Sequence, residues 1–181
     1  MIQYVAFLRG INLAGNTTIR MADLREVFEQ SGFAGVRTYI QTGNVIFASK
    51  ETNIAKLTRK IEKALLAAFH FEVKVLVLTV AELEEVVKLD PFKNIEDNDA
   101  IRTYVTFHSP LPDNWEPPPS FAKAGVEILG RRKQALLLLC RRKENGQIEF
   151  PNALCEKSVK ISATTRNWNT VRKTLELARK A

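Results

Sequence analysis

Arg9, Asn12, Gln41 and Asn44 are the residues of this chain best suited to hold a charged ligand. A guanidinium can fork onto a carboxylate or phosphate, and the three amides add donors and acceptors beside it. Gly10 and Gly43, interleaved with them, let backbone N–H groups approach an anion closely. The chemistry expected of this set is binding of a small anionic or phosphorylated ligand. It contains no group that titrates near neutral pH, so an enzyme built on it has no evident general base. A second set is Arg166, Asn167 and Asn169, in a run expected to open a helix, where free N–H groups and the dipole favour anions. The competing reading of both sets is structural: the asparagines hydrogen-bond nearby backbone, and Arg9 pairs with a surface acid.

Two basic triplets offer a different chemistry. Arg131, Arg132 and Lys133, with Arg141, Arg142 and Lys143, stand at the two ends of an expected hairpin. They can hold phosphates without sequence preference, in binding that weakens steeply with salt. Weak nucleic-acid association is therefore the alternative to the small-ligand reading, against a plainly solvated basic surface. No catalytic residue is assigned. His70 and His108 are isolated, Cys140 and Cys155 lie in no metal or redox spacing, and no phosphate loop or nucleophile elbow is present. No metal or cofactor is expected.

Composition bounds these readings. Apolar residues make up 45% and charged residues 26% of 181, ordinary for a soluble globular protein. The longest purely apolar run, Ala135 to Cys140, is too short to span a bilayer, so no membrane partner is expected. A reducing cytoplasm is the expected location. The net charge of +7 is uneven. Residues 1–121 carry 13 Lys and Arg against 15 Asp and Glu, whereas residues 122–181 carry 14 against 5. A basic second part attracts polyanions.

The elements that must position these groups begin with a strand apolar on both parities, Ile2 to Leu8, as befits the middle of a covered sheet. Thr17 or Thr18 then offers a cap for a helix carrying Met21, Leu24, Val27 and Phe28, closed by Gly32. Strands over 36–41 and 44–48 flank Thr42-Gly43, read as a two-residue hairpin turn. Ile54, Leu57, Ile61, Leu65 and Ala68 make the stripe of the strongest helix, followed by a strand at 73–78. The order strand, helix, strand, strand, helix, strand is the split βαβ or ferredoxin-like arrangement. In that arrangement the first and third strands are antiparallel neighbours, so Arg9 to Asn12 and Gln41 to Asn44 share one end of the sheet.

Thr79 and Glu82 form a capping box for a further helix, ended by Asp90-Pro91. The acidic stretch 94–99 divides the chain into expected subdomains at 1–93 and 100–181. The second subdomain opens with a strand at 101–107. Five of the seven prolines follow between Pro110 and Pro119, which reads as a stiff connector. Strands at 126–129 and 134–141, a short helix from Pro151, a strand at 159–163 and a helix capped by Thr164 or Thr165 complete it. Trp168, Val171, Leu175 and Ala178 are the apolar face of that last helix. The fold class expected is α+β, with two ferredoxin-like subdomains, antiparallel sheets and an added C-terminal helix.

Four motifs in order carry a family resemblance: Leu8-Arg9-Gly10-Ile11-Asn12; Met21-x-x-Leu24-Arg25; Val36 to Phe47, reading VRTYIQTGNVIF; and Thr165 to Val171, reading TRNWNTV. Together they resemble the bacterial domain-of-unknown-function family numbered sixteen ninety-seven. The resemblance implies a pair of ferredoxin-like α+β subdomains and supplies no activity, substrate or cofactor. Ala14-Gly15 stands where the family usually has Gly-Gly.

Overall fold

The structure, a computed structural model, describes residues 1–12, 18–159 and 162–180. The chain forms two compact units, Met1–Glu84 with Lys173–Ala181, and Glu85–Arg172. The first unit runs β1 (Ile2–Leu8), α1 (Met21–Gln30), β2 (Ala34–Tyr39), β3 (Asn44–Ser49), α2 (Ile54–Phe69) and β4 (Val75–Thr79), then enters α3 (Val80–Lys88). Its strands are antiparallel in the order β2-β3-β1-β4. β1 is therefore central, and its double-sided apolar pattern has the burial it calls for. Tyr4, Ala6 and Leu8 join a core with Leu24 and Phe28 of α1 and Leu57, Ile61 and Leu65 of α2. Val5 and Phe7, on the other parity, are also fully buried. Phe47 anchors this core, its ring 5.5 Å from Tyr4, 5.5 Å from Phe28 and 4.7 Å from Phe33.

Local signals set most boundaries. Gly32 ends α1 in the left-handed region (φ 80°), and Phe33 folds back against Phe28. Thr79 and Glu82 make the reciprocal capping box: the Thr79 N–H donates to Glu82 Oε2 at 3.0 Å, and the Glu82 N–H donates to Thr79 Oγ1 at 3.1 Å. Two expectations need correction. α1 begins after Arg20, which caps nothing but forks onto Asp23 at 2.8 and 2.9 Å; Thr17 lies outside the described residues. The β2–β3 turn has four residues, Ile40 to Gly43, because Tyr39 already pairs with Asn44. Ile40 and Gly43 both take positive φ, at 47° and 76°, to close it.

The second unit repeats the topology with β5 (Ile101–His108), α4 (Ser120–Lys123), β6 (Val126–Arg132), β7 (Ala135–Arg141), α5 (Pro151–Val159) and β8 (Ala163–Asn167), in the antiparallel order β6-β7-β5-β8. Its core joins Phe121, Val126, Leu136, Leu138, Cys140, Cys155 and Ala163. Glu96 to Asp99 belong to this unit, where Asp97 accepts from the Thr103 N–H at 2.8 Å and from Asn167 Nδ2 at 2.7 Å. The β6–β7 turn is Lys133-Gln134, later than the expected 130–133, with Lys133 at φ 45°. The last strand falls at 163–167 rather than 159–163. Thr164 and Thr165 are consequently buried strand residues, and α6 (Trp168–Arg179) is capped by Asn167, whose Oδ1 accepts from the Asn169 N–H at 2.9 Å. β-branched threonines suit the pleated sheet, and the asparagine suits the cap.

Candidate functional site

At one end of the first sheet the polar residues that β1 and the β2–β3 turn carry come together. Phe7 pairs with Asn44, the Leu8 N–H donates to the Gly43 carbonyl at 2.8 Å, and the Arg9 N–H donates to the Lys74 carbonyl at 2.8 Å. Asn12 closes the arrangement. Its Nδ2 donates to the carbonyls of Gln41 (2.7 Å) and Ile19 (2.9 Å), while its Oδ1 accepts from the Ile19 N–H (2.7 Å). One side chain thus ties the loop after β1 to the hairpin turn. Asn12 adopts φ 55°, a region asparagine tolerates better than most residues.

Asn44 is fully buried and works the same way inside the turn, donating to the Tyr39 carbonyl at 2.9 Å and to Thr42 Oγ1 at 3.1 Å. Gly43 is required there. A Cβ would lie 2.7 Å from Ile11 Cδ1 and 2.8 Å from Leu8 Cβ. Around this fixed frame, Arg9, Gly10 and Gln41 are exposed. Gly10 takes φ 66°, and among the described residues beyond its chain neighbours no atom lies within 4 Å of where a Cβ would stand.

Arg166, Asn167 and Asn169 belong to the second unit. Arg166 lies within β8 opposite Val105, only 7% exposed, and donates to Thr164 Oγ1 and the Thr165 carbonyl, both at 2.9 Å. Burial pulls its guanidinium pKa down to about 10. Asn167 bridges the α6 cap to Asp97, and Asn169 is exposed on the first turn of α6. A polar cleft of about 530 Å³ opens there, with Asp97, Trp168, Asn169, Lys93 and Arg172 on its walls. Trp168 itself is core, edge-on to Phe92 at 5.2 Å.

The basic triplets separate along β7. Arg131, Arg132 and Lys133 border a cleft of about 690 Å³ beside Pro110 and Asp113. Arg131 donates to the carbonyls of Pro112 (3.0 Å) and Trp115 (3.4 Å) and lies 5.8 Å from the Trp115 ring centroid. Arg132 bonds Glu85 at 3.0 Å. At the other end Arg141 pairs with Glu127 at 3.3 Å and Lys143 with Glu149 at 2.8 Å, while Arg142 is exposed.

His108, isolated in the sequence, is buried at the end of β5. Its Nδ1 sits 2.7 Å from the Ser109 carbonyl, which can only accept, so Nδ1 carries the proton. Nε2 is then a bare acceptor, buried and without a partner among the described residues. A strand-end histidine with apolar neighbours gives no local sign of this. Burial lowers its pKa, and the Arg131 charge adds to the effect. Burial also pushes the Cys140 thiol up to about 12 and the Cys155 thiol to about 11, so neither is a nucleophile near neutral pH. Among the described residues no group of three or more His, Cys, Asp or Glu could hold a metal, and no helix is long and apolar enough to cross a membrane.

Comparison with known proteins gives a family and a fold. The family described as "Protein of unknown function (DUF1697)" matches residues 1–123. No curated protein matches the chain. Among solved structures, the conserved bacterial protein SP0830 from Streptococcus pneumoniae is similar over 98% of both chains, with a TM-score of 0.66 at 19% identity. At that identity the likeness speaks for the fold alone.

Proposed function

We propose that this chain, which belongs to the DUF1697 family, binds a small anionic or phosphorylated ligand at the Arg9 end of its first sheet. One observation carries the reading: the Leu8–Gly43 and Asn12–Gln41 hydrogen bonds hold Arg9, Gly10 and the turn residue Gln41 at one rigid sheet end. Preorganised contacts bind more tightly than ones that must be ordered on association. Within the site the four residues divide by role. Arg9 and Gln41 face solvent and supply the ligand contacts, while Asn12 and Asn44 position them. Arg, Asn and Gln cannot move protons near neutral pH, so the reading is binding without turnover.

A thermal-shift screen against nucleotides and sugar phosphates tests it. A ligand at a hundred times its Kd stabilises the fold by about 2.7 kcal/mol, which raises the Tm of a chain this size by roughly 5–10 °C. Arg9→Ala is expected to abolish that shift, measured against the variant's own unliganded Tm. A hit whose shift survives Arg9→Ala would remove the ligand from this site.

A further inference from the structure

We infer that the cleft between residues 90–97 and the first turns of α6 binds a free α-amino acid with an apolar side chain. Asp97, on the wall of this 530 Å³ cleft, is a half-buried carboxylate. Three uncharged donors hold it: the Thr103 N–H at 2.8 Å, the Thr103 hydroxyl at 2.5 Å and Asn167 Nδ2 at 2.7 Å. The two Thr103 bonds fall on Oδ1 and the Asn167 bond on Oδ2, so Oδ2 keeps a lone pair to offer. No cation lies in ion-pair reach of Asp97 among the described residues. The carboxylate is thus ordered while its charge stays uncompensated, which suits it to an ammonium group.

The same cleft carries the complementary charge. Lys93 and Arg172 line it, both exposed, beside Asp90, Glu96 and Asp97. Neither cation has a carboxylate in ion-pair reach among the described residues. Opposite charges that line one cleft without meeting leave a gap for a ligand that carries both. Asn169 and Arg172, three residues apart on α6, share a helix face, and the exposed Asn169 amide bonds nothing through its side chain among the described residues. A simple anion would enter this cleft beside carboxylates, and a simple cation beside two bases. The acids make no metal site either: among the described residues no group of three or more could hold one. An amino acid answers both signs, with its ammonium on Asp97 and its carboxylate on Arg172 and Asn169. Ile95, half-buried, and Phe92 supply an apolar wall for an aliphatic side chain.

Isothermal titration calorimetry of the whole protein tests this with L-leucine, L-leucinamide and N-acetyl-L-leucine. The amide lacks the carboxylate, and the acetyl derivative lacks the ammonium. Leucine is expected to bind, and each blocked analogue about tenfold more weakly or worse, since each forfeits a charge-assisted contact. Arg172→Gln removes a guanidinium that bonds nothing else among the described residues, and it should weaken leucine by about tenfold or more. Absence of binding at about 10 mM leucine, which would nearly fill a millimolar site, overturns the inference. So does either blocked analogue binding as tightly as leucine, or an affinity unchanged in Arg172→Gln. Arg9→Ala should leave leucine binding intact, which separates this cleft from the small-anion site. Loss of leucine binding in Arg9→Ala would move the ligand to the first sheet and overturn the assignment.

Discussion

Asn12 devotes its whole amide to backbone: two donors and one acceptor meet groups 7 and 29 residues away. At residue scale, then, the polar side chains of the first site divide into Asn12 and Asn44, which brace turns, and Arg9 and Gln41, which are exposed. His108 fits neither class, and its buried Nε2 makes a pH prediction. The folded pKa lies below the ordinary value of about 6.5, so as pH falls the unfolded chain takes up the proton first. Stability from this residue is complete above about pH 6.5 and is lost as pH falls from there toward the lowered folded value. The urea midpoint should accordingly drop between pH 7.5 and 5.5, and His108→Gln should flatten the drop. Equal pH dependence in the two proteins would show that the orphaned nitrogen is immaterial.

At the scale of elements, the β2–β3 turn matters most, since it carries Gln41 and braces the loop after β1. Gly43 sits at φ 76° with its missing Cβ facing Leu8 and Ile11 at under 3 Å. Gly43→Ala combines a left-handed penalty with a clash in a packed corner, together about 2–4 kcal/mol. Chemical denaturation should register that loss, and any small-ligand binding should weaken with it. A cost below 0.5 kcal/mol would mean the turn relaxes freely and does not hold Arg9 in place. The capping box of α3 and the Asn167 cap of α6 show the same economy: short polar side chains finish helices where the chain leaves a strand.

For the whole molecule, the units do not follow chain order. Residues 173–181 belong with the first unit, where Arg179 bonds Glu84 at 2.8 Å and the Lys180 carbonyl accepts from Arg37 at 3.3 Å. Thr174, Leu175 and Ala178 are buried. Deleting 173–181 should therefore destabilise the protein although no strand is removed. Losing one buried leucine alone costs about 2–5 kcal/mol, which corresponds to a Tm lower by roughly 5–15 °C. Melting within a degree or two of the full chain would show that this segment is dispensable. Charge is also a property of the whole: the surplus of cations after residue 121 is real, yet ion pairs at Arg132, Arg141 and Lys143 neutralise half of the two triplets.

The amino-acid sequence by itself determined the order of elements in the first unit and the central place of β1, while the short α4 of the second unit went unread behind the prolines. Two-sided apolar alternation, the stripe of α2 and the Thr79–Glu82 box report on residues within a turn or two of one another, and such patterns need no distant partner to be read. Only the tertiary structure decided how the polar groups are used. The number of residues in the β2–β3 turn follows from the register of Tyr39 on Asn44, and the burial of Arg166 follows from β8 beginning at Ala163. Asn12 bonds the Gln41 carbonyl, 29 residues away, because the two approach as the sheet closes. An amide has the same chemistry facing a ligand as facing a turn; what surrounds it selects between them.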